Sequence, residues 1–278
     1  MKVFKELPHS IYHTCKYRLK SQKKLIQHKD SIPVIVSLTS IPTRLNNLDL
    51  VIKSILNQTV LPEKIILWLN DSLKNNLPKK LVKLESKIFQ IKFSNLTCSH
   101  RKLIHTLEEN LSSIIVTCDD DQMYQKNWLE LLYQEHLKHK NCIIAHRATQ
   151  IKMNKNGSYL PFIKWRTREE TNLHNPYLPI GSWGVLYPPN SMPNTIFNKN
   201  LFLKLTPKAD DLWFKGMSLL NNTLTKESSV KPKLPVPIMG SQKVSLKEEN
   251  VKKKKNETQW QALSDHFDLD SILKKQKG

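Results

Sequence analysis

Residues 114 to 121 read Ile-Ile-Val-Thr-Cys-Asp-Asp-Asp, an apolar run that ends in three carboxylates. The β-branched residues predict a buried strand that delivers Asp119, Asp120 and Asp121 to its carboxyl end. On an extended segment Asp119 and Asp121 point to the same side, while Asp120 faces away or closes the turn. Carboxylates so arranged suit a hard divalent cation that is shared with substrate phosphates. An acidic surface turn without a ligand is the alternative for the triplet taken alone.

Strands and helices alternate around this run. The hydrophobic pattern predicts strands over residues 31–40, 64–69, 88–93 and 142–145, and helices over residues 47–58, 79–87 and 102–110. Short connections between such elements imply a parallel sheet that is covered by helices on both faces. Ligands of these sheets bind beyond the carboxyl ends of the strands, where residues 39–44, 70–71 and 119–121 all fall. The sequence therefore predicts one binding site at this edge of the sheet.

The same segments carry a family resemblance. The motifs are Val-Ser-Leu-Thr-Ser-Ile-Pro-Thr-Arg (36–44), Ser-Ile-Leu-Asn-Gln-Thr (54–59), residues 62–69, 114–121, 127–129, 184–189 and 202–214. In this order they resemble the family 2-like nucleotide-sugar glycosyltransferases of the GT-A fold, and more narrowly a bacterial branch from capsule and lipopolysaccharide gene clusters. The likeness covers residues 33–270. It implies an α/β fold: one GT-A (Rossmann-like) domain with a mostly parallel central sheet, whose nucleotide-sugar half is 31–125 and whose acceptor half is 126–230.

The resemblance implies a role for each residue of the donor side. Asp119 and Asp121 would hold Mn²⁺ or Mg²⁺ against the diphosphate of the donor, with Asp120 beside them in the donor site. The positions where the family's first strand cradles the nucleoside are Thr39, Pro42 and Arg44.

Three further donor-side residues each have a structural alternative. Asp71 follows the second strand, where it would bind a pyrimidine base or cap a helix. Arg101 and Lys102 lie where this branch has basic residues; they would bind the diphosphate or form a solvated helix start.

A second acidic pair, Asp210-Asp211, precedes a helical pattern. In the family the matching pair supplies the general base that deprotonates the acceptor hydroxyl, and Asp211 corresponds to that base. Asp210 would orient Asp211 or bind the acceptor, and direct attack by the hydroxyl implies inversion at the anomeric carbon. Capping of the helix is the alternative for this pair, and it is compatible with catalysis because a helix N-terminus favours carboxylates.

The segment between the two acidic sites is expected to contact the acceptor. Trp183 stands among small residues, and Gly184 allows close approach of the backbone. His146 and Arg147 follow a predicted strand and resemble a basic pair of the branch. Arg147 would meet the diphosphate or an acidic acceptor, with a structural ion pair as the alternative.

Length and cysteine content fit one enzyme domain. A chain of 278 residues buries a large core, and its four cysteines are widely spaced. This spacing argues against a disulfide framework or a structural zinc site and favours a reducing compartment. Without a signal-peptide pattern or a run long enough to span a bilayer, we expect a cytoplasmic enzyme.

The formal net charge of +20 suggests a further partner. Residues 1–30 carry eight Lys and Arg against two acids, and Ile11, Tyr12, Cys15 and Leu19 recur at helical spacing. A basic amphipathic segment predicts peripheral binding to an anionic membrane, where lipid-linked acceptors reside. The alternative is lysine enrichment from an AT-rich genome. Residues 231–255 are predicted to form a basic mobile loop, and 256–278 a closing helix and tail, the helix covering about 256–273.

The predicted function is inverting transfer of a sugar from a nucleoside-diphosphate donor, UDP being the commonest in the family, to a glycan or lipid-linked acceptor. Two other classes remain at this stage. A nucleic-acid-binding protein or metal-dependent nuclease would also be basic and carry acidic clusters, although the lysines are dispersed and no nucleic-acid motif occurs. A catalytically inactive glycan-binding module is the other, although both acidic sites are intact.

Overall fold

A computed structural model of the protein describes residues 2–27, 29–166, 176–239 and 255–275. The strands are β1 (Ser31–Thr39), β2 (Leu61–Asn70), β3 (Phe89–Ser94), β4 (Ile114–Thr117), β5 (Gln122–Met123), β6 (Ile143–Ala145), β7 (Ala148–Gln150), β8 (Tyr177–Pro179), β9 (Val185–Tyr187), β10 (Thr225–Glu227) and β11 (Val236–Pro237). The helices are α1 (Lys2–Leu19), α2 (Gln22–Ile26), α3 (Leu48–Leu56), α4 (Lys79–Val82), α5 (Arg101–Glu109), α6 (Trp128–Lys138), α7 (Lys199–Leu205), α8 (Asp210–Leu220), α9 (Lys255–Phe267) and α10 (Leu269–Lys275). Short 3₁₀ helices cover Pro42–Asn47, Asp71–Leu73, Phe162–Arg166, Gly181–Trp183 and Asn194–Phe197.

Seven of the described strands form the central sheet, in the order β10-β6-β9-β4-β1-β2-β3. Strands β3, β2, β1 and β4 run parallel to one another, as do β6 and β10. Strand β9 runs antiparallel between β4 and β6. The predicted α/β fold with a mostly parallel central sheet is confirmed. The register pairs Thr117 with Val185, so the turn before β9 lies beside the carboxyl end of β4.

Each face of the sheet carries its own apolar core because alternate residues of a strand point to opposite faces. Val36 and Val116 pack on one side with the buried residues of α3. On the other side Ile115 and Val185 pack with apolar residues of α5 and α8. Helices therefore flank both faces, as the alternation of elements predicted.

Element bounds differ from the predicted ones where local signals are weak. Helix α4 ends at Val82, so the helix predicted over residues 79–87 is only one turn long. The predicted last helix is two helices, α9 and α10, because Asp268 adopts φ 49° and breaks the repeat. Of the predicted basic loop 231–255, residues 240–254 lie outside the described residues, whereas 236–237 form β11. Within the described ranges, no helix has the length and apolarity needed to cross a bilayer.

Candidate functional site

The acidic turn, Asp119 to Asp121, is held in place from both sides. Strand β4 ends at Thr117, and the backbone N–H of Asp119 donates a 2.9 Å hydrogen bond to the hydroxyl of Tyr124. On the far side, the N–H of Ile238 donates to the carbonyl of Asp121 at 2.9 Å. Strand β11 thus pairs beside the turn and limits its movement.

Asp120 and Asp121 lie in a tight turn, so the prediction that this segment is extended is wrong for these two residues. Of the two predicted alternatives for Asp120, facing away or closing the turn, the structure has Asp120 closing the turn. Its carboxylate accepts hydrogen bonds from the Ser40 hydroxyl and from Nη1 of Arg44, both at 2.5 Å. Nη2 of Arg44 lies 3.4 Å from Oδ2 of Asp121, so one guanidinium contacts both carboxylates.

The two buried carboxylates of the turn have raised pKa values. Burial raises the pKa of Asp120, although Arg44 and Ser40 act in the opposite direction. Burial, followed by the negative charge of Asp119, raises the pKa of Asp121 to about 6. The turn therefore holds more negative charge than its own environment stabilises.

Lys102 joins the acidic turn to the second acidic pair. Its Nζ lies 3.0 Å from Oδ1 of Asp119 and 2.9 Å from Oδ2 of Asp210, and its side chain is only 5% exposed. Burial lowers the pKa of this ammonium, but Asp119 and Asp210 with Asp211 raise it well above its ordinary value. The two acidic sites predicted separately therefore belong to one site. Lys102, which was predicted to bind diphosphate, bridges them.

Asp210 and Asp211 are neighbours at the start of α8 with different surroundings. Asp210 accepts a 2.8 Å hydrogen bond from the Ser99 hydroxyl. Burial raises its pKa, yet Lys102, His100 and Ser99 together lower it below the ordinary value.

Asp211 is stabilised far less in its charged form. Its Oδ2 accepts a 3.0 Å hydrogen bond from the backbone N–H of Gly181. Burial and the charge of Asp210 raise the pKa of Asp211 to about 7. Gly181 is required here because a Cβ at that position would lie 2.5 Å from Oδ1 of Asp211. The helix-capping alternative does not describe this pair, since Ala209 is the N-cap and has no side-chain hydrogen bond.

Asp119 and Asp121 are the two carboxylates predicted to hold a divalent cation. The Asp119 side chain is 35% exposed, and its charge contributes to the raised pKa of Asp121, which a cation between the two would reverse. No group of three or more His, Cys, Asp or Glu in the described parts of the chain could hold a metal ion. The remaining ligands would come from water and from substrate phosphates, which is how Mg²⁺ is usually bound.

The residues predicted to cradle the nucleoside lie around the end of β1. The Thr39 hydroxyl donates to the carbonyl of Trp68 at 2.8 Å and accepts from Nε of Arg101. Pro42 is exposed at the start of a 3₁₀ helix, and Arg44 lies in the same helix. Arg101 is buried and also donates to the carbonyls of Leu96 and Ser40. A diphosphate contact by Arg101 would have to displace these bonds.

Asp71 is exposed and forms a 2.9 Å ion pair with Lys74. The capping alternative for Asp71 is wrong, because Asn70 caps this turn by accepting from the N–H of Ser72 at 3.1 Å. Contact with a base stays a prediction for Asp71.

The residues predicted to contact the acceptor separate into an outward pair and an inward pair. The guanidinium of Arg147 stacks over the Trp183 ring, 5.2 Å from its centroid. His146 is fully buried, and its Nε2 bonds the carbonyl of Trp128 at 2.8 Å. Gly184 has φ +101°, and a Cβ there would lie 2.5 Å from the Trp128 ring. As placed, His146 faces Trp128 rather than solvent, and Gly184 packs against the same ring.

Several residues that organise the site were not predicted from the sequence. They are Ser40, Ser99, Tyr124 and Trp128, the last donating to the carbonyl of Trp183 at 2.7 Å. Ser40 directly follows Thr39, and Ser99 lies two residues before Arg101, which is the only local signal that these two serines offer. Gln259 of α9 accepts a 3.0 Å hydrogen bond from the N–H of Lys208 and thereby connects α9 to the loop before α8.

Comparisons with known proteins identify the family of the chain. The model of the family described as Glycosyl transferase family 2 matches residues 41–202, more than half of the chain. A search of curated proteins finds no match. Among solved structures the chain is similar to 4-diphosphocytidyl-2C-methyl-D-erythritol synthase from Anaerococcus prevotii, with 12% identity, a TM-score of 0.40, and coverage of 76% of this chain and 93% of that one. So distant a likeness carries no argument here.

The chain belongs to glycosyl transferase family 2, and this membership supports nucleotide-sugar glycosyltransferase activity. The matched range contains the acidic turn, Arg44 and Lys102, and it ends before Asp210 and Asp211. The assignment to a capsule or lipopolysaccharide branch is a finer statement than this match supports.

Proposed function

We propose that the protein is an inverting glycosyltransferase that moves a sugar from a nucleoside-diphosphate donor, UDP being our first candidate, to a hydroxyl of a glycan or lipid-linked acceptor. The observation that carries the proposal is the bridge formed by Lys102 between Asp119 and Asp210. It joins carboxylates suited to a donor diphosphate with a carboxylate pair suited to an acceptor hydroxyl. A reaction that breaks one bond and forms another at a single carbon requires this proximity.

On the donor side, Asp119 and Asp121 would hold Mn²⁺ or Mg²⁺. When bound, the cation offsets the charge of the leaving diphosphate. Arg44 supports the same function because its guanidinium orders Asp120 and Asp121 at the edge of the site. We assign Thr39, Pro42 and Asp71 to the nucleoside.

On the acceptor side, Asp211 would take the proton of the acceptor hydroxyl. Its pKa of about 7 lies close to neutral pH, where general bases are most effective. The acceptor oxygen then forms a bond to the anomeric carbon as the bond to the diphosphate oxygen breaks, which inverts the configuration. Asp210 orients the pair through Lys102 and Ser99. The stacked pair of Trp183 and Arg147 would contact the acceptor sugar.

We place this reaction in the synthesis of capsule or lipopolysaccharide on the cytoplasmic side of the membrane. The four cysteines support a reducing compartment because all of them are free thiols. The resemblance of the sequence motifs to a branch from capsule and lipopolysaccharide gene clusters supports the proposed pathway.

The test combines ligand binding with transfer. The melting temperature is measured with a panel of nucleoside diphosphates, with and without Mn²⁺, for the wild type and Asp121→Ala. We expect one nucleotide to raise the melting temperature in a metal-dependent way, and Asp121→Ala to lose this effect. Incubation with the matching nucleotide sugar should then release that diphosphate, and the product anomer should be inverted. Absence of any nucleotide effect on the wild type, with or without metal, would contradict the proposal.

A further inference from the structure

Helix α1 packs on the domain through an unusual set of residues. Its inner side buries Ser10 and Tyr17, whose exposed fractions are 3% and 2%. The Ser10 hydroxyl donates to the carbonyl of Pro237 at 2.8 Å, and Nζ of Lys53 donates to the carbonyl of Tyr17 at 2.9 Å. In the part of the helix whose side chains are described, a polar hydroxyl and one aromatic residue are thus the buried contacts to the domain.

Four apolar residues in the second half of α1 are exposed to solvent instead. We call Ile11, Tyr12, Cys15 and Leu19 the α1 stripe. Ile11, Tyr12 and Leu19 are 46%, 61% and 88% exposed, and Cys15 is exposed. At 100° per residue these positions share one side of the helix, opposite Ser10 and Tyr17. An ordinary surface helix has the reverse polarity, with its apolar side inward.

Basic residues lie close to the α1 stripe in sequence, on α1 itself and on the following helix α2. Arg18, Lys23 and Lys24 are exposed, and Nζ of Lys16 lies 5.8 Å from the centroid of the Tyr12 ring.

Four ammonium groups of this region are crowded. Burial and then the charges of Lys126 and Lys20 lower the pKa of Lys29 to about 8. Burial followed by Lys16 and Lys126 lowers the pKa of Lys20. The repulsion between these ammonium groups favours an anionic partner.

We propose that the α1 stripe and the basic residues around it form a docking surface for an anionic lipid bilayer. Apolar side chains that project between lysines and arginines match the boundary between acyl chains and anionic headgroups. An exposed tyrosine is also typical of the membrane interface. Each basic residue near an anionic leaflet strengthens binding about fivefold, so the cluster and the apolar stripe act together.

A lipid surface explains the two features better than other partners do. Nucleic acid would use the positive charge but leaves the apolar stripe without a function. A second copy of the chain would cover the stripe but would bring two basic surfaces together, which charge repulsion opposes. Only an anionic bilayer uses both.

The surface is connected to the candidate active site through β11. Pro237 accepts the hydrogen bond from Ser10, and the adjacent Ile238 donates to Asp121. Docking by α1 would therefore place the acidic turn near a lipid-linked acceptor, a consequence that rests on the proposed function. The docking itself does not require transferase activity.

The first experiment tests the apolar stripe. The full chain is sedimented with vesicles of phosphatidylglycerol and phosphatidylcholine, or of phosphatidylcholine alone. We expect the wild type to bind only the anionic vesicles, and Ile11→Ser/Tyr12→Ser/Leu19→Ser to bind at least about tenfold more weakly. The matched control is Leu111→Ser/Leu203→Ser, which removes exposed leucines from other elements and should bind as the wild type does.

The second experiment tests the charges. Lys23→Glu/Lys24→Glu should weaken binding to anionic vesicles by at least about tenfold, and added salt should do the same. Lys199→Glu/Lys204→Glu makes the same charge change on α7 and should have a much smaller effect.

Three outcomes would overturn the proposal. One is absence of binding to anionic vesicles, and another is vesicle binding that is the same in the stripe variant and its control. The third is a concentration-dependent dimer of the wild type that the stripe substitutions abolish while vesicle binding is absent. None of these outcomes affects the nucleotide measurement, so failure of the docking surface is distinguishable from failure of the proposed function.

Discussion

The acidic turn and the start of α8 both present adjacent aspartates, but the two regions balance their charges differently. In the turn, Arg44 contacts two carboxylates and Lys102 contacts the third. At the start of α8, Lys102 contacts Asp210, whereas Asp211 accepts a backbone hydrogen bond. The turn thus shares two cationic side chains among three carboxylates, whereas α8 places its two carboxylates in different environments.

Asp210 and Asp211 are neighbours in sequence, yet their pKa values shift in opposite directions because their surroundings differ. The pKa of Asp210 is lowered, whereas that of Asp211 is raised to about 7. A pair of titratable groups with pKa values pushed apart is a common basis for acid and base roles. Substitutions in and around these two regions are expected to separate the roles of their charges.

Asp211→Asn should reduce transfer by roughly a thousandfold, because general-base catalysis is typically worth 10²- to 10⁴-fold. Stability should not fall, since the folded state disfavours the charged form of this side chain at neutral pH. The measurement is kcat with the donor identified by the binding test, together with urea unfolding. Nucleotide-dependent stabilisation serves as the control and should persist. Activity above about a tenth of the wild-type value would rule out Asp211 as the base.

Lys102→Met should destabilise the fold by about 3–5 kcal/mol, because it leaves the buried carboxylates of Asp119 and Asp210 without their shared cation. The matched control is Lys215→Met. Burial alone lowers the pKa of Lys215 to about 7, and its Nζ contacts only a hydroxyl, that of Thr225, among the contacts described. This control should be neutral or stabilising, and equal losses in urea unfolding for both variants would refute the charge bridge.

His100→Gln should make the protein less sensitive to acid. Burial lowers the pKa of His100 from 6.5 to about 4. As the pH falls, the imidazole is therefore protonated in the unfolded chain before it is protonated in the folded protein. The stability it contributes is complete above pH 6.5 and is lost as the pH falls toward 4, by roughly 3 kcal/mol in total.

The effect of His100 is measured as a difference between variant and wild type. The raised pKa values of Asp121 and Asp211 act with the opposite sign in the same range, so the wild-type curve alone is not decisive. Unfolding free energies of both proteins are compared from pH 7 to pH 4. The exposed His266→Gln is the control. A difference between wild type and His100→Gln that stays constant over this range would contradict the buried neutral state.

Asp71→Ala should change stability by less than about 0.5 kcal/mol, because its ion pair with Lys74 is exposed. If Asp71 binds the base, affinity for the nucleotide should fall about tenfold. Lys74→Ala breaks the same ion pair and is the control. Calorimetric titration with the nucleotide measures the affinity of both variants. Equal affinities of Asp71→Ala and Lys74→Ala would remove Asp71 from the donor site.

Much of the fold follows from local patterns. The β-branched runs of β1, β2 and β4 and the apolar face of α3 each predict an element within a few residues of its observed bounds. Helix α4 was predicted too long because residues 83–87 lack an apolar pattern strong enough to extend it past Val82. The helical spacing of the α1 stripe could be read from the sequence. The burial of Ser10 and Tyr17 on the opposite side could not.

The sequence by itself determined the order of strands and helices, the likeness to the family, and the delivery of carboxylates to strand and helix ends. These features depend on residues that are close along the chain. Only the tertiary structure decided that Lys102 joins Asp119 to Asp210, that Arg44 contacts the acidic turn, and that His146 turns inward. Each of these contacts depends on the distance between residues that are far apart in sequence. Burial and the neighbouring charges then shift the pKa values of the groups in contact. No periodic pattern along the chain encodes such pairings.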